Sequence, residues 1–201
     1  MKAKNRIPYR WFSLPVALFF LAVGVLAAQD SSPNKERKED EAGFKKFSDR
    51  VQDYVKLQKT IESSLPAMNS TDLPEMIVAH QQALARKIRE ARPKAKVGDI
   101  FTESAREAFR HAIRSAFQSP DGDNARATMQ QGAPVKELHL EVNGIYPDAA
   151  PYTTVPPTLL SAFPKLPEEV AYRIVSRNLI LIDVKSNMVI DLIHEIIPSK
   201  P

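Results

Sequence analysis

Cysteine is absent from the 201-residue chain. That excludes a disulfide frame, a thiolate metal site, a thiol nucleophile and a lipidated cysteine. Glycine is scarce, with six residues, too few for a glycine-rich phosphate cradle. No Walker loop, G-x-G-x-x-G, H-E-x-x-H or G-x-S-x-G sequence occurs, so no cofactor is expected. Net charge is missing as well, once the first ten residues are set aside. Lys2, Lys4, Arg6 and Arg10 carry the whole excess of 28 Lys+Arg over 24 Asp+Glu. From residue 29 onward the two signs balance, and a balanced chain lacks the basic domain that nucleic-acid binding calls for. Nucleic acid is therefore not an expected partner.

Long apolar runs are also lacking, with one exception. Residues 11–28 read WFSLPVALFFLAVGVLAA, preceded by the basic stretch and followed by small residues. A basic start, an apolar centre and a small-residue exit predict a secretory signal peptide over 1–28, cut near Ala27 or Ala28. An uncleaved anchor is the rival reading, since the run approaches the length of a membrane span. A membrane contact is expected only through that segment if it is retained. In both cases the remainder is exported, to the periplasm or the medium, where a cysteine-free chain needs no oxidative folding.

Residues 29–42 are charged and read as a solvated linker that runs on, by fraying, into the first helix. The remaining 43–201 suit a single domain, with a helical part over 43–132 and a proline-rich connection and β-meander over 133–201. Phe44, Phe47, Val51, Tyr54, Gln58, Ile61 and Leu65 recur at helical spacing, which predicts a helix over 43–65 ended by Pro66. A second helix starts near Asp72, where Asp72 and Glu75 have capping-box spacing. It carries Ile77, Leu84, Ile88 and Ala91 on one face and stops at Pro93. A third lies within 102–118 and a short fourth over 123–131, with Gly132 as its exit.

The pattern then changes. Leu138, Leu140 and Val142 alternate with His139 and Glu141, predicting a strand over 135–142 before an Asn143-Gly144 turn. Residues 146–167 hold six prolines and predict an extended wrap with one helical turn at 158–162. Three strands follow, over 171–175, 179–184 and 188–193, joined by turns at 176–178 and 185–187. The expected class is α+β, with three long helices and a short one packed on a small C-terminal antiparallel meander.

Two groups of residues are candidates for binding. Arg106, Arg110 and Arg114 recur every four residues on the third helix, as an anion strip or as a solvated face paired with Glu103 and Glu107. The stretch 86–114 is rich in bases and 137–195 in acids. These can meet within the fold or across a homo-oligomer. In the meander, three-residue turns put Arg173 opposite Leu181 and Leu181 opposite Asp191. Asp183 then joins Arg173 and Asp191 on one sheet face, as a ligand point, an acid/base pair or a cross-strand ion pair. The four histidines show no metal spacing, so no metal site is expected.

The segments LPEEVAYR (166–173), LILID (179–183) and VIDLI (189–193) resemble the tail of small exported bacterial proteins. The mature chain resembles uncharacterised secreted bacterial proteins, and the tail is similar to that of periplasmic nickel/cobalt-homeostasis proteins. The expected function is a non-enzymatic periplasmic binding module for an envelope protein or a small anionic ligand. The alternatives are a hydrolase-like enzyme using Asp183 and Asp191, and a metal-handling protein, which is what the tail's resemblance implies.

Overall fold

A computed structural model describes residues 33–68, 73–130, 138–147, 150 and 154–198. The expected signal peptide at 1–28 lies outside them, as do Asp72, Gly132 and residues 135–137. The fold is α+β. Five helices, α1 (Pro33–Glu62), α2 (Pro74–Ala91), α3 (Glu103–Gln118), α4 (Gly122–Gln130) and α5 (Pro157–Ala162), precede an antiparallel sheet of β1 (Val170–Val175), β2 (Asn178–Asp183) and β3 (Met188–Ile193).

Helix α1 begins ten residues before the expected start, so 33–42 is helix and not linker. Its charges explain this. Lys35 pairs with Glu39 at 3.9 Å and Arg37 with Glu41 at 3.6 Å, both four residues apart. Each exposed pair contributes only a few tenths of a kcal/mol. Docking on α3 adds more: His111 Nδ1 lies 2.9 Å from Asp40 and Nε2 3.4 Å from Glu36. Close approach of the two helices depends on Gly43, where a Cβ would run into the Ser104 carbonyl and lie 3.2 Å from Ala108 Cβ.

The core is shared by helices and sheet. Phe47, Val51, Tyr54 and Val55 of α1, Leu84 and Ile88 of α2 and Phe109 and Ile113 of α3 pack with Tyr172, Ile174, Leu179, Leu181, Met188 and Ile190. Phe109 is the aromatic hub. Its ring centroid lies 5.1 Å from Phe47, 5.2 Å from Phe44 and Phe101, and 4.7 Å from Phe163 at the end of α5.

Strand β2 is buried on both faces, as its apolar LILI run requires. Its second face, with Ile180 and Ile182, packs with Val175, Val189 and Leu192 under Leu138, Leu140, Val142 and Tyr146. The alternation over 138–142 is thus real, but residues 138–141 form no strand, contrary to expectation. This stretch crosses over the face of the sheet and so meets side chains, not a ladder. Pairing begins at Asn143, which turns at φ 65°. The Asn143 N–H then donates to Val189 O at 2.8 Å, and the Tyr146 N–H to Asn187 O at 2.8 Å, closing the outer edge of β3. Asn143 is itself held by the end of α2, donating to Arg92 O at 2.9 Å and accepting from the Arg92 guanidinium at 3.2 Å.

The β1–β2 turn has two residues, Ser176 and Arg177, with Val175 opposite Asn178 and Ser176 at φ 55°. The expected three-residue turn is corrected, and a one-residue change in register reverses which face a side chain takes. Between β2 and β3 the register shifts at Leu181/Ile182, so that Leu181 opposes Asp191 while Ile182 opposes Val189. The extra residue, Ile190, forms a bulge that keeps both Ile190 and Asp191 on the helix side.

Lys59 near the end of α1 reaches Glu169 at 2.6 Å, and Lys185 reaches Glu62 at 2.7 Å. Glu169 is buried, and the hydrogen bond from Lys59 holds its carboxyl below the ordinary 4.5 despite the opposing effect of burial. The same contact raises Lys59 above 10.5. Glu169 therefore supports the fold above about pH 4.5, and that support is lost as pH falls through its lowered value. Lys59's share is present below 10.5 and lost as pH rises through its raised value. Thermal melts from pH 2.5 to 7 should show a flatter acid limb in Glu169→Gln than in the parent. An identical slope would remove Glu169 from the acid transition.

Candidate functional site

The meander residues do not form the expected cluster. Arg173 opposes Ile180, not Leu181, and so faces away from Asp183 and Asp191. Its Nη1 donates to Tyr172 O at 3.0 Å. Asp183 and Asp191 do share the helix-facing side, yet both are 0% exposed and bonded to the chain itself. Asp183 Oδ2 accepts from the Tyr54 hydroxyl at 2.7 Å, and Oδ1 from the Ser186 N–H at 2.8 Å. Burial beside that carboxylate puts the Tyr54 hydroxyl above its ordinary range. Asp191 accepts from the N–H groups of Gly98, Ile100, Phe101 and Leu192 at 2.7–2.9 Å. Burial pushes the Asp191 carboxyl above 3.8, and these four donors pull it back. Its work is to anchor the α2–α3 loop to β3. Neither carboxylate presents an oxygen to a substrate.

The arginine strip divides. Arg106 pairs with Glu103 at 3.1 Å, and Arg110 pairs with Glu107. These two follow the solvated-face reading. Arg114 has no ion-pair partner among the described residues, and it lines a cleft between α1, α3 and α5.

That cleft has a volume of about 760 Å³, within the range of small-ligand sites. Phe44, Ala108, Ala112, Ala116 and Ala162 supply an apolar lining of mostly small side chains. The alanines arise from the same periodicity that builds the α3 core stripe, so the helices approach closely but leave a trough. Ser115 of α3 and Thr158 and Ser161 of α5 add hydroxyls. The acids on the α1 side are engaged: Glu36 and Asp40 with His111, Glu41 with Arg37. Three carboxylates thus face two arginines and one imidazole in the lining, and Arg114 is its cation with no ion-pair partner among the described residues.

The sequence marks Arg114 and the helical turn at 158–162 that forms α5, but it does not single out His111, Asp40 or Glu36 for a site. Glu36 and Asp40 have the four-residue spacing of one helix face. That signal becomes legible only once 33–42 is read as helix. Among the described residues no group of three or more His, Asp or Glu side chains is arranged to hold a metal ion. Also among them, no helix is long and apolar enough to cross a membrane. No family model, no curated protein and no solved structure matches this chain.

Proposed function

We propose that the protein is an exported, non-enzymatic binding module whose α1–α3–α5 cleft takes a small amphipathic anion. The signal-peptide pattern of residues 1–28 supports the exported location, periplasmic or secreted. One observation carries the ligand class: Arg114 has no ion-pair partner among the described residues and lines an alanine-rich cleft edged by hydroxyls. An acidic head group would meet Arg114 and the hydroxyls, while the carbon body lies along Phe44 and the alanines. A charge-assisted bond of this kind is worth about 1.5–3 kcal/mol, roughly a ten- to hundredfold effect on affinity. Binding without chemistry suits a cleft that joins no base to a nucleophile by any hydrogen bond found among the described residues.

Calorimetric titration with laurate and with phenyl phosphate tests this reading. At least one probe should bind, and Arg114→Ala should weaken it by at least tenfold while the melting temperature stays unchanged. Equal affinity in the variant would overturn the assignment, and so would no binding of either probe below millimolar concentration.

A further inference from the structure

The buried stripe of α2 occupies only its second half. Leu84, Ala85 and Ile88 are buried, whereas Ile77, expected on the same core face, is 46% exposed. That second half leads into a run of bases. Residues 86–96 read RKIREARPKAK, with six bases against one acid, Glu90. None of the six forms an ion pair among the described residues, although ion pairs engage bases on α1, α3, α4 and the meander. Two of the six hold the fold together. Arg89 donates to Asn143 O at 3.2 Å, and Arg92 donates to Asn143 Oδ1 at 3.2 Å and to Ile190 O at 3.3 Å. The side chains of Arg86, Lys87, Lys94 and Lys96 are exposed and bonded to no described residue. The acids at this end are Glu90, Asp99, the buried Asp191, and Glu141, which pairs with His139. Bases therefore remain in excess. The C-terminal end of a helix carries only about half a negative charge, too little to balance them.

We propose that the end of α2 and the loop that follows it form a docking patch for an anionic phospholipid surface. The spread of the bases supports this occupant. Arg86 to Ala91 covers about 8 Å of helix axis, and Lys94 and Lys96 continue into the loop. A plane of phosphates meets bases spread over that length together, whereas one small anion would meet one or two. Val97 favours lipid over a soluble polyanion. It is a large apolar side chain, 39% exposed, next to Lys96 in the same loop. On a bilayer it enters the acyl boundary while the lysine stems stretch back to the head groups. Each base beside such a surface adds roughly fivefold to partitioning, and salt screens the attraction. The patch is separate from the α1–α3–α5 cleft and does not rest on the reading given to it.

Limited acetylation of the full chain, read lysine by lysine by mass spectrometry, reports on the patch itself whether or not residues 1–28 are retained. With phosphatidylglycerol vesicles Lys87, Lys94 and Lys96 should react at least about threefold more slowly, while the exposed Lys56 and Lys165 keep their rates. Phosphatidylcholine vesicles should give no such protection, and about 0.5 M salt should remove it. Arg86→Glu with Lys94→Glu should abolish it at Lys87 and Lys96 without changing the melting temperature. Lys56→Glu with Lys165→Glu, an equal change of net charge, should leave it in place. No protection with phosphatidylglycerol overturns the proposal, and so does equal protection by phosphatidylcholine. Protection that survives the patch variant, or is lost equally in the Lys56 and Lys165 variant, overturns it too. Heparin that protects these lysines where phosphatidylglycerol does not would assign the patch to a soluble polyanion and overturn it as well.

Discussion

Phe109→Ala is expected to lower the free energy of unfolding by about 4 kcal/mol, near the top of the range for a buried aromatic. Phe109 is fully buried and is the ring that α1, the α2–α3 loop, α5 and β1 have in common. Its edge-to-face contacts at 4.7–5.2 Å with Phe163, Phe47 and Phe101 each add about 0.5–1.5 kcal/mol beyond the area they bury. The surrounding rings are fixed by the sheet and by α5, so the cavity has little room to collapse. A loss near 4 kcal/mol lowers the melting temperature by roughly 8–16 °C for a chain of this size. Urea unfolding followed by circular dichroism measures it. A loss under about 1.5 kcal/mol would mean that the hub is repacked easily and that the core is not organised around this ring.

The second large effect is at Asp191. Asp191→Ala leaves four N–H donors, three of them buried, without this acceptor and is expected to cost about 4 kcal/mol. Asp191→Asn should fall between, at about 2 kcal/mol. The amide keeps one oxygen for one pair of donors and turns its own N–H groups toward the other pair. It also removes the burial cost of a charge, which offsets part of the loss. The order parent, then Asn, then Ala in urea midpoint is the signature of an anchor for the α2–α3 loop. Burial raises this carboxyl, so its ionisation costs stability as pH climbs from 3.8, the opposite sense to Glu169. Variants as stable as the parent would contradict the anchoring role.

The sequence conveyed the class and most elements because the apolar periods are strong. The core face of α1, the stripe of α3 and the doubly apolar β2 run each have one way to be buried. Register was harder. Ser176-Arg177 makes a two-residue turn without the Asn-Gly or Asp-Gly signature of such turns, so its length could not be read. The face of Arg173 went with it. The bulge at Ile190 is equally unsigned: nothing in VIDLI marks where a residue is inserted, because every position in it is buried. The start of α1 was hidden for another reason. Its first ten residues bury little of their own, and their order comes from His111, 71 residues away from Asp40 in the chain. The cleft was half legible. Helical spacing put Arg114 on a line with Arg106 and Arg110, but only the short-range acids Glu103 and Glu107 separate the paired members from the unpaired one. Ile77 shows the converse: period alone says core, while cover depends on what the rest of the chain brings.

Native mass spectrometry of the full chain, purified gently from the envelope and medium of cells that make it, tests the central claim most directly. The parent should carry a reproducible small anionic adduct, and Arg114→Ala, folded and equally stable, should lose it. An adduct retained in full by Arg114→Ala, or a parent without any adduct across repeated preparations, would contradict the account.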